Sequence, residues 1–234
     1  MSDAVAFAGH QVHVCRYREA GALLRWLGSD LRGKRVLDVA GGDGYWVGQT
    51  RKAGAYAVSI DLARAKMTWG RGLAHAPALV EGDALQLPFA DGTFDAVMSI
   101  CAIEHFDDGP RALDEIARVL RPGGQLVMSA DALTRAHEWP HLLRAHCECY
   151  HVKQTYTHDR LAALLDERGL DLLEHSYQFR NGPAQHLYLA LSARGGKVGF
   201  NAAAPLAPLV AAADSRTPND RGSVVLLRAQ RRER

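Results

Sequence analysis

KRVLDVAGGDGYWVGQ, from Lys34 to Gln49, is the stretch that decides the fold. An apolar run, Arg35 to Val39, reads as a buried strand. It enters a turn holding Gly41, Gly42 and Gly44, and a helix follows. Glycine admits positive φ and close approach of a ligand to the backbone. The helix behind the turn presents unpaired N–H groups. A strand, a glycine turn and a helix together form a nucleotide-binding corner. The spacing argues against a dinucleotide, whose fingerprint is G-x-G-x-x-G. After Gly42-x-Gly44 the next glycine is Gly48, one residue late. Asp38 sits at the carboxyl end of the strand, on the edge where open α/β sheets bind ligands. That placement suits a cofactor with a positive charge and hydroxyls, not a pyrophosphate.

Outward from this corner, strands and helices alternate. Residues 18–30 form an amphipathic helix. Strands are expected over Ala55–Ile60, Pro77–Val80, Thr93–Ile100 and Gln125–Ser129, with helices over Leu62–Arg71 and Pro110–Leu120. Arg121-Pro122-Gly123-Gly124 is expected to stop the latter helix. A helix over Asp159–Arg168 and a strand over Leu170–Phe179 follow. Residues 183–214 read as one or two apolar helices broken by prolines, and Gly222–Arg228 as a closing strand. Such alternation predicts an α/β, doubly wound, mostly parallel sheet.

Composition is that of an ordinary globular chain: 234 residues, 47% apolar, 23% charged, net charge +2. The charge is too small to imply nucleic-acid binding. The four arginines of Arg228–Arg234 read as a solvated terminus. No apolar run approaches the roughly 20 residues that span a bilayer, so no membrane insertion is expected. The first residues show no signal peptide. With that, four cysteines point to reduced thiols and a cytoplasmic setting.

V-L-D-V-A-G-G-D-G resembles the first motif of the class I S-adenosylmethionine-dependent methyltransferases, V-L-D-x-G-x-G-x-G. The chain departs at Ala40, which fits if that residue keeps negative φ. Two further segments are similar to the same family: D-A-L-Q-L-P-F from Asp83, and TFDAVMSICAIEHFDD from Thr93 followed by RALDEIARVLRPGGQLVMS. The likeness covers residues 34–130. It implies a Rossmann-like, seven-stranded sheet with a last antiparallel strand. It also implies one methyltransferase domain over residues 1–234: a helical cap over 1–33, a cofactor-binding half over 34–130 and a substrate-covering half over 131–234. The cofactor implied is S-adenosyl-L-methionine, with S-adenosyl-L-homocysteine as product.

Site residues follow position by position. Asp61 lies 19 residues beyond Gly42, the spacing at which an acid accepts from both ribose hydroxyls. It also fits a helix N-cap before Leu62. The resemblance assigns adenine to Asp83 and the N–H of Ala84, and the methionine amino group to Asp38. Backbone at Ile100, Cys101 and Ala102 is placed beside the methionine, with Cys101 a small packing residue. Ala40, Gly41, Gly42, Gly44 and Leu62 complete the cofactor set. Tyr17 is either a cover for the cofactor or a surface residue.

His105 and His151 are the candidate bases, because neutral imidazole can take a hydroxyl proton near neutral pH. A structural histidine is the competing reading for His105. The run His137, His141, His146, Cys147, Cys149, His151 and His158 matches no zinc spacing. No metal is expected there, and a wall of the acceptor pocket is the preferred reading. Residues 183–214 fit a lid, a face of a homodimer, a contact for an apolar substrate, or plain core.

The expected activity is methyl transfer to a small-molecule acceptor, on an oxygen of a biosynthetic intermediate. S-I-C-A stands where N-P-P-Y-type enzymes of nucleic acid or glutamine carry their tetrad. A NAD-dependent oxidoreductase and a non-catalytic cofactor-binding subunit are the rival readings.

Overall fold

The computed structural model describes residues 14–70 and 76–233. Seven strands form one sheet: β1 (Arg35–Val39), β2 (Tyr56–Asp61), β3 (Ala78–Glu81), β4 (Phe94–Ile100), β5 (Leu120–Asp131), β6 (Leu170–Gln178) and β7 (Val224–Arg231). Their order is β3-β2-β1-β4-β5-β7-β6. The pairs from β3 to β5 are parallel, and β7 runs antiparallel between β5 and β6. The sheet is therefore the Rossmann-like, doubly wound arrangement that the alternating elements predict. Strand order reverses beside β1. Ligands of open α/β sheets bind at such a point, outside the carboxyl ends of the strands.

The helices are α1 (Val14–Leu27), α2 (Tyr45–Thr50), α3 (Arg64–Gly70), α4 (Gly109–Val119), α5 (Pro140–Tyr150), α6 (His158–Asp166), α7 (Gly182–Ala202) and α8 (Ala207–Ser215). Their starts follow local chemistry. Asp108 caps α4 by accepting the N–H of Arg111, and a proline occupies the first turn. Asn181 caps α7 through the N–H of Ala184 in the same way. Alternate residues of the strands enter two cores. Leu37, Val39 and Val97 pack with Leu113 and Leu161 of α4 and α6 on one face. Val36, Ala96 and Met98 pack with Leu23, Val47 and Leu189 of α1, α2 and α7 on the other.

Three expectations need correction. The Arg121–Gly124 stretch does not form a separate stop. Leu120 already pairs with Phe94, and the next pair, Ala96 with Gln125, comes after a bulge that absorbs the glycines, Gly123 at φ 70°. The basic end is not a solvated tail. Arg231 lies in β7 and donates to the carbonyls of Arg118 and Leu120, and Arg232 pairs with Asp166 and Asp171. Ala40 adopts φ 58°, not the negative value that its side chain favours. Of the expected N-terminal cap, residues 1–13 lie outside the described residues, as does Arg71 at the expected end of α3.

Candidate cofactor and acceptor site

The glycine turn is built by packing as much as by conformation. A Cβ at Gly41 would fall 2.5 Å from Asp38 Cγ and from Ser59 Oγ. At Gly44, with φ 73°, it would fall 2.4 Å from Pro77 Cγ. Gly42, at φ 61°, donates its N–H to Asp61 Oδ2 at 2.9 Å. Asp61 also accepts the Ala63 N–H on Oδ1 at 2.7 Å, so it does cap the chain ahead of α3. Each carboxylate oxygen has two lone pairs, and both keep capacity for a further donor. Leu62 beside it is 69% exposed, an apolar surface at the mouth of the turn.

Asp38 is buried, and its Oδ1 lacks a hydrogen-bond partner. Burial first, then the charges of Asp43 and Asp61, push its carboxyl well above the ordinary carboxylate range. A buried, unpartnered carboxyl oxygen is costly unless something pairs with it. A cationic amino group at this spot would pair it and pull the proton off. Asp83 follows β3, is exposed, and accepts the Leu85 N–H at 2.9 Å. Ala84 is buried next to it. Tyr17 stacks edge-on against Trp46 at 4.9 Å and meets the hydroxyl of Tyr45 at 3.2 Å, just behind the glycine turn. The residues present therefore fit an adenosine bearing a cationic amino-acid tail: an acid at each of three successive positions, a cradle closed to any Cβ, and one orphaned carboxyl oxygen.

Beyond β4 lies a polar cavity, open to solvent, of ≈ 320 Å³ counted with its mouth. Cys101, at φ 43°, follows β4 and lines the cavity. Its thiol donates to Glu19 Oε1 at 3.0 Å, and Ser129 donates to the same oxygen. Arg16 pairs with Glu19 at 2.6 Å one turn along α1. Glu104 is fully buried, accepts the Asp131 N–H at 3.3 Å, and leaves Oε2 without a partner. Burial and the neighbouring Asp131 hold its carboxyl well above the usual range. One donor atom each from Cys101, Glu104 and Asp131 fall within 4.8 Å of one another. The shift at Glu104 favours the protonated carboxyl, which can donate to an oxygen placed in the cavity.

Asp131, the last residue of β5, anchors a chain of hydrogen bonds. Its Oδ1 accepts from Tyr188 at 2.9 Å and its Oδ2 faces His146 Nε2 at 2.7 Å. His146 Nδ1 meets Ser192 Oγ at 2.8 Å, and Ser192 donates its one proton to the Leu189 carbonyl at 3.0 Å. That pattern makes Nδ1 the donor to Ser192 and leaves one proton shared between Nε2 and Asp131.

The two candidate bases separate. His105 lines the cavity, and its Nδ1 lies 3.4 Å from the carbonyl of His151. A proton on Nδ1 leaves the Nε2 lone pair free. Burial shifts His105 below the ordinary histidine value, against the opposing pull of that carbonyl. His151 is exposed, caps α5 at φ 55°, and contributes only its backbone oxygen. The structure does not bring its side chain to the site. Of the histidine–cysteine run, His146 is the buried member that reaches the cavity; His137, His141 and Cys149 are exposed.

Glu19, Glu104, Asp131, Tyr188 and Ser192 were not singled out from sequence, and His146 entered only as one of a run expected to wall the acceptor pocket. The available signal was a polar residue at a core position. His146 lies one turn from buried Leu142, and Tyr188 and Ser192 stand four apart in an apolar helix.

The sheet order, the glycine turn and the acids at successive strand ends define a cofactor-binding fold of the methyltransferase type. The sequence profile of a family described as "Methyltransferase domain" matches residues 37–128. An O-methyltransferase of Aspergillus nomiae is 33% identical over 165 residues, covering 67% of this chain and 71% of that protein. A demethylmenaquinone methyltransferase of Thermus thermophilus is 41% identical over 120 residues, 46% of this chain and 54% of that one. A second, from Corynebacterium kroppenstedtii, is 42% identical over 96 residues, 41% of each chain. The match thus spans about half the length of these two relatives. An S-adenosylmethionine-dependent methyltransferase structure from Mesorhizobium loti superposes with a TM-score of 0.62 at 20% identity, covering 90% of this chain and 96% of that one. That likeness concerns the fold alone. The chain belongs to the class I S-adenosylmethionine-dependent methyltransferases.

Proposed function

We propose that this chain transfers a methyl group from S-adenosylmethionine to an oxygen of a small-molecule acceptor held in the polar cavity behind Cys101. The observation that carries the reading is the adjacency of two half-sites. A glycine turn with an orphaned Asp38 carboxyl lies on β1, and a cavity with a buried acid, a histidine and a relay of hydrogen bonds lies off the adjacent strand β4 and off β5 beyond it.

The cofactor supplies an electrophilic methyl group on a sulfonium. The chain supplies position. Asp61 accepts the ribose hydroxyls, Asp83 and the N–H of Ala84 hold adenine, and Asp38 pairs with the amino group. Backbone at Cys101 borders the methionine, and Leu62 covers the sugar edge. Glu104 donates to the acceptor, and the Asp131–His146–Tyr188 network fixes that wall. His105 takes the acceptor proton on Nε2. Alignment and exclusion of water supply most of the acceleration. Oxygen is preferred over carbon because the relative named O-methyltransferase aligns over 67% of the chain, beyond the cofactor half. The four cysteines are free, and among the described residues no helix is long and apolar enough to cross a membrane. Both suit the cytoplasmic setting proposed for it.

Label transfer from methyl-labelled S-adenosylmethionine to a panel of phenols, catechols and quinols tests this reading. A methoxy product made at an His105-dependent rate is the expected result. Cofactor binding with no transfer to any acceptor would favour a non-catalytic subunit, and a carbon-bound methyl would reassign the acceptor atom.

A further inference from the structure

The polar cavity has an apolar neighbour. Helix α1 faces the cavity with Arg16 and, one residue before and two residues after, faces a groove of ≈ 370 Å³, counted with its open mouth, with Cys15 and Arg18. Leu187 and Leu191 of α7 form the inner wall, and Leu206 and Val210 the outer. Phe200 lines both spaces. It is 2% exposed and lies 5.5 Å from Tyr188, whose hydroxyl belongs to the cavity network. The two spaces thus share one aromatic partition. Arg18 commits its charge to Asp214 at 2.6 Å. Its Nη1, buried without a partner, is the polar donor on the groove side. On the same helices, α7 and α8, Val198 is 71% and Leu209 67% exposed.

Resting on the proposed function, we infer that the acceptor is an amphiphile. Its hydroxyl-bearing head sits in the polar cavity, and a hydrocarbon chain runs past Phe200 into the groove between α1 and α7–α8. Continuity argues for a part of the substrate over a separate partner. The groove and the acceptor cavity both draw on α1 and α7, and Phe200 lines both. Its lining offers a chain almost nothing to hydrogen-bond, so length and apolarity are what it selects. Arg18 Nη1 leaves room for one acceptor oxygen along that chain.

The test uses the full chain loaded with S-adenosylhomocysteine. Binding of 4-n-alkylphenols, from methyl to decyl and below their aggregation threshold, is measured by calorimetry. A series of n-alkanols serves as a second arm that needs the groove alone. Burying one methylene is worth about fourfold in affinity. The expected result is a rise of about that factor per carbon in either series, then a plateau once the groove is filled. Val210→Asp and Leu206→Asp, on a partly exposed helix edge, should flatten the rise and leave S-adenosylhomocysteine affinity and 4-methylphenol binding unchanged. A flat series in the wild type, or an undiminished rise in both variants, overturns the inference. So does a wild-type dimer that Val210→Asp converts to monomer, because the groove is then an interface between copies. Failure of the wild type to bind S-adenosylhomocysteine at all would instead overturn the cofactor reading beneath it.

Discussion

The proposed cofactor edge and the proposed acceptor cavity lie on one sheet, yet they are built by opposite means. The cofactor edge is made of backbone and three carboxylates, drawn from residues 38–84 apart from the backbone at Cys101. Gly41, Gly42 and Gly44 hold it open by lacking side chains. The acceptor cavity is made of side chains drawn from α1, β5, α5 and α7, joined by bonds spanning up to 110 residues, as between Glu19 and Ser129. A backbone site tolerates little change in shape and serves one ligand. A side-chain site can be rebuilt residue by residue without touching the fold. The difference predicts that cofactor-edge substitutions act on binding and cavity substitutions act on rate.

The largest effect should come from the cavity. His105→Asn keeps the hydrogen bond to the His151 carbonyl and removes the free imidazole nitrogen. General-base assistance is typically worth about 10²–10⁴-fold, so kcat should fall by that order with S-adenosylhomocysteine affinity unchanged. Because burial favours the neutral ring, the wild-type rate should hold as pH falls through about 6.5 and decline only below it. An acid limb at or above that value, or an unchanged rate in the variant, would remove His105 from the chemistry.

Next comes the cofactor edge. Gly42→Val forces a β-branched residue into φ 61° at the point where the backbone must meet the ligand. Cofactor affinity should drop about 100-fold, some 2.7 kcal/mol, with the circular dichroism spectrum retained. The same affinity in the variant would mean that the cofactor lies elsewhere.

Asp38→Asn should have a smaller and two-sided effect. In the folded state burial favours the protonated form of Asp38, raising it well above an unfolded carboxyl. Its contribution is intact below about pH 4 and is lost as pH rises toward the raised value. Asparagine does not ionise. The apo variant should therefore lose less stability than the wild type between acid and neutral pH, as read by thermal melts. Its S-adenosylhomocysteine affinity should fall about tenfold, for loss of the charge that meets the amino group. If apo stability shows the same pH slope in both proteins, Asp38 is not the group that carries it.

The contrast also explains what could be read from the chain. Asp38, Asp61 and Asp83 close three strand segments, and the glycine turn is contiguous, so periodicity and spacing expose them. The antiparallel place of β7 was implied by the resemblance, not by any pattern in GSVVLLR. Asp131 and His146 are fifteen residues apart in no motif, and their meeting depends on how α5 folds back over β5. Tyr188 and Ser192 look like lapses in an apolar helix until the cavity is in view. His151 misled because a histidine in a loop gives no hint that left-handed backbone will turn its ring outward.

Ala40 gives the finest comparison, because it is the position where the cofactor edge breaks its own backbone rule. Left-handed backbone costs a non-glycine residue roughly 1–2 kcal/mol, and Ala40 sits at φ 58°. Glycine would remove that strain and, by loosening the unfolded chain, give back about 0.4–1 kcal/mol. The two terms differ in sign, and the strain is the larger. Ala40→Gly should therefore stabilise the protein by up to about 1.6 kcal/mol, measured by urea denaturation, with cofactor affinity equal or better. Destabilisation by about 1 kcal/mol would mean that only the unfolded-chain term operates, and that Ala40 keeps ordinary negative φ after all.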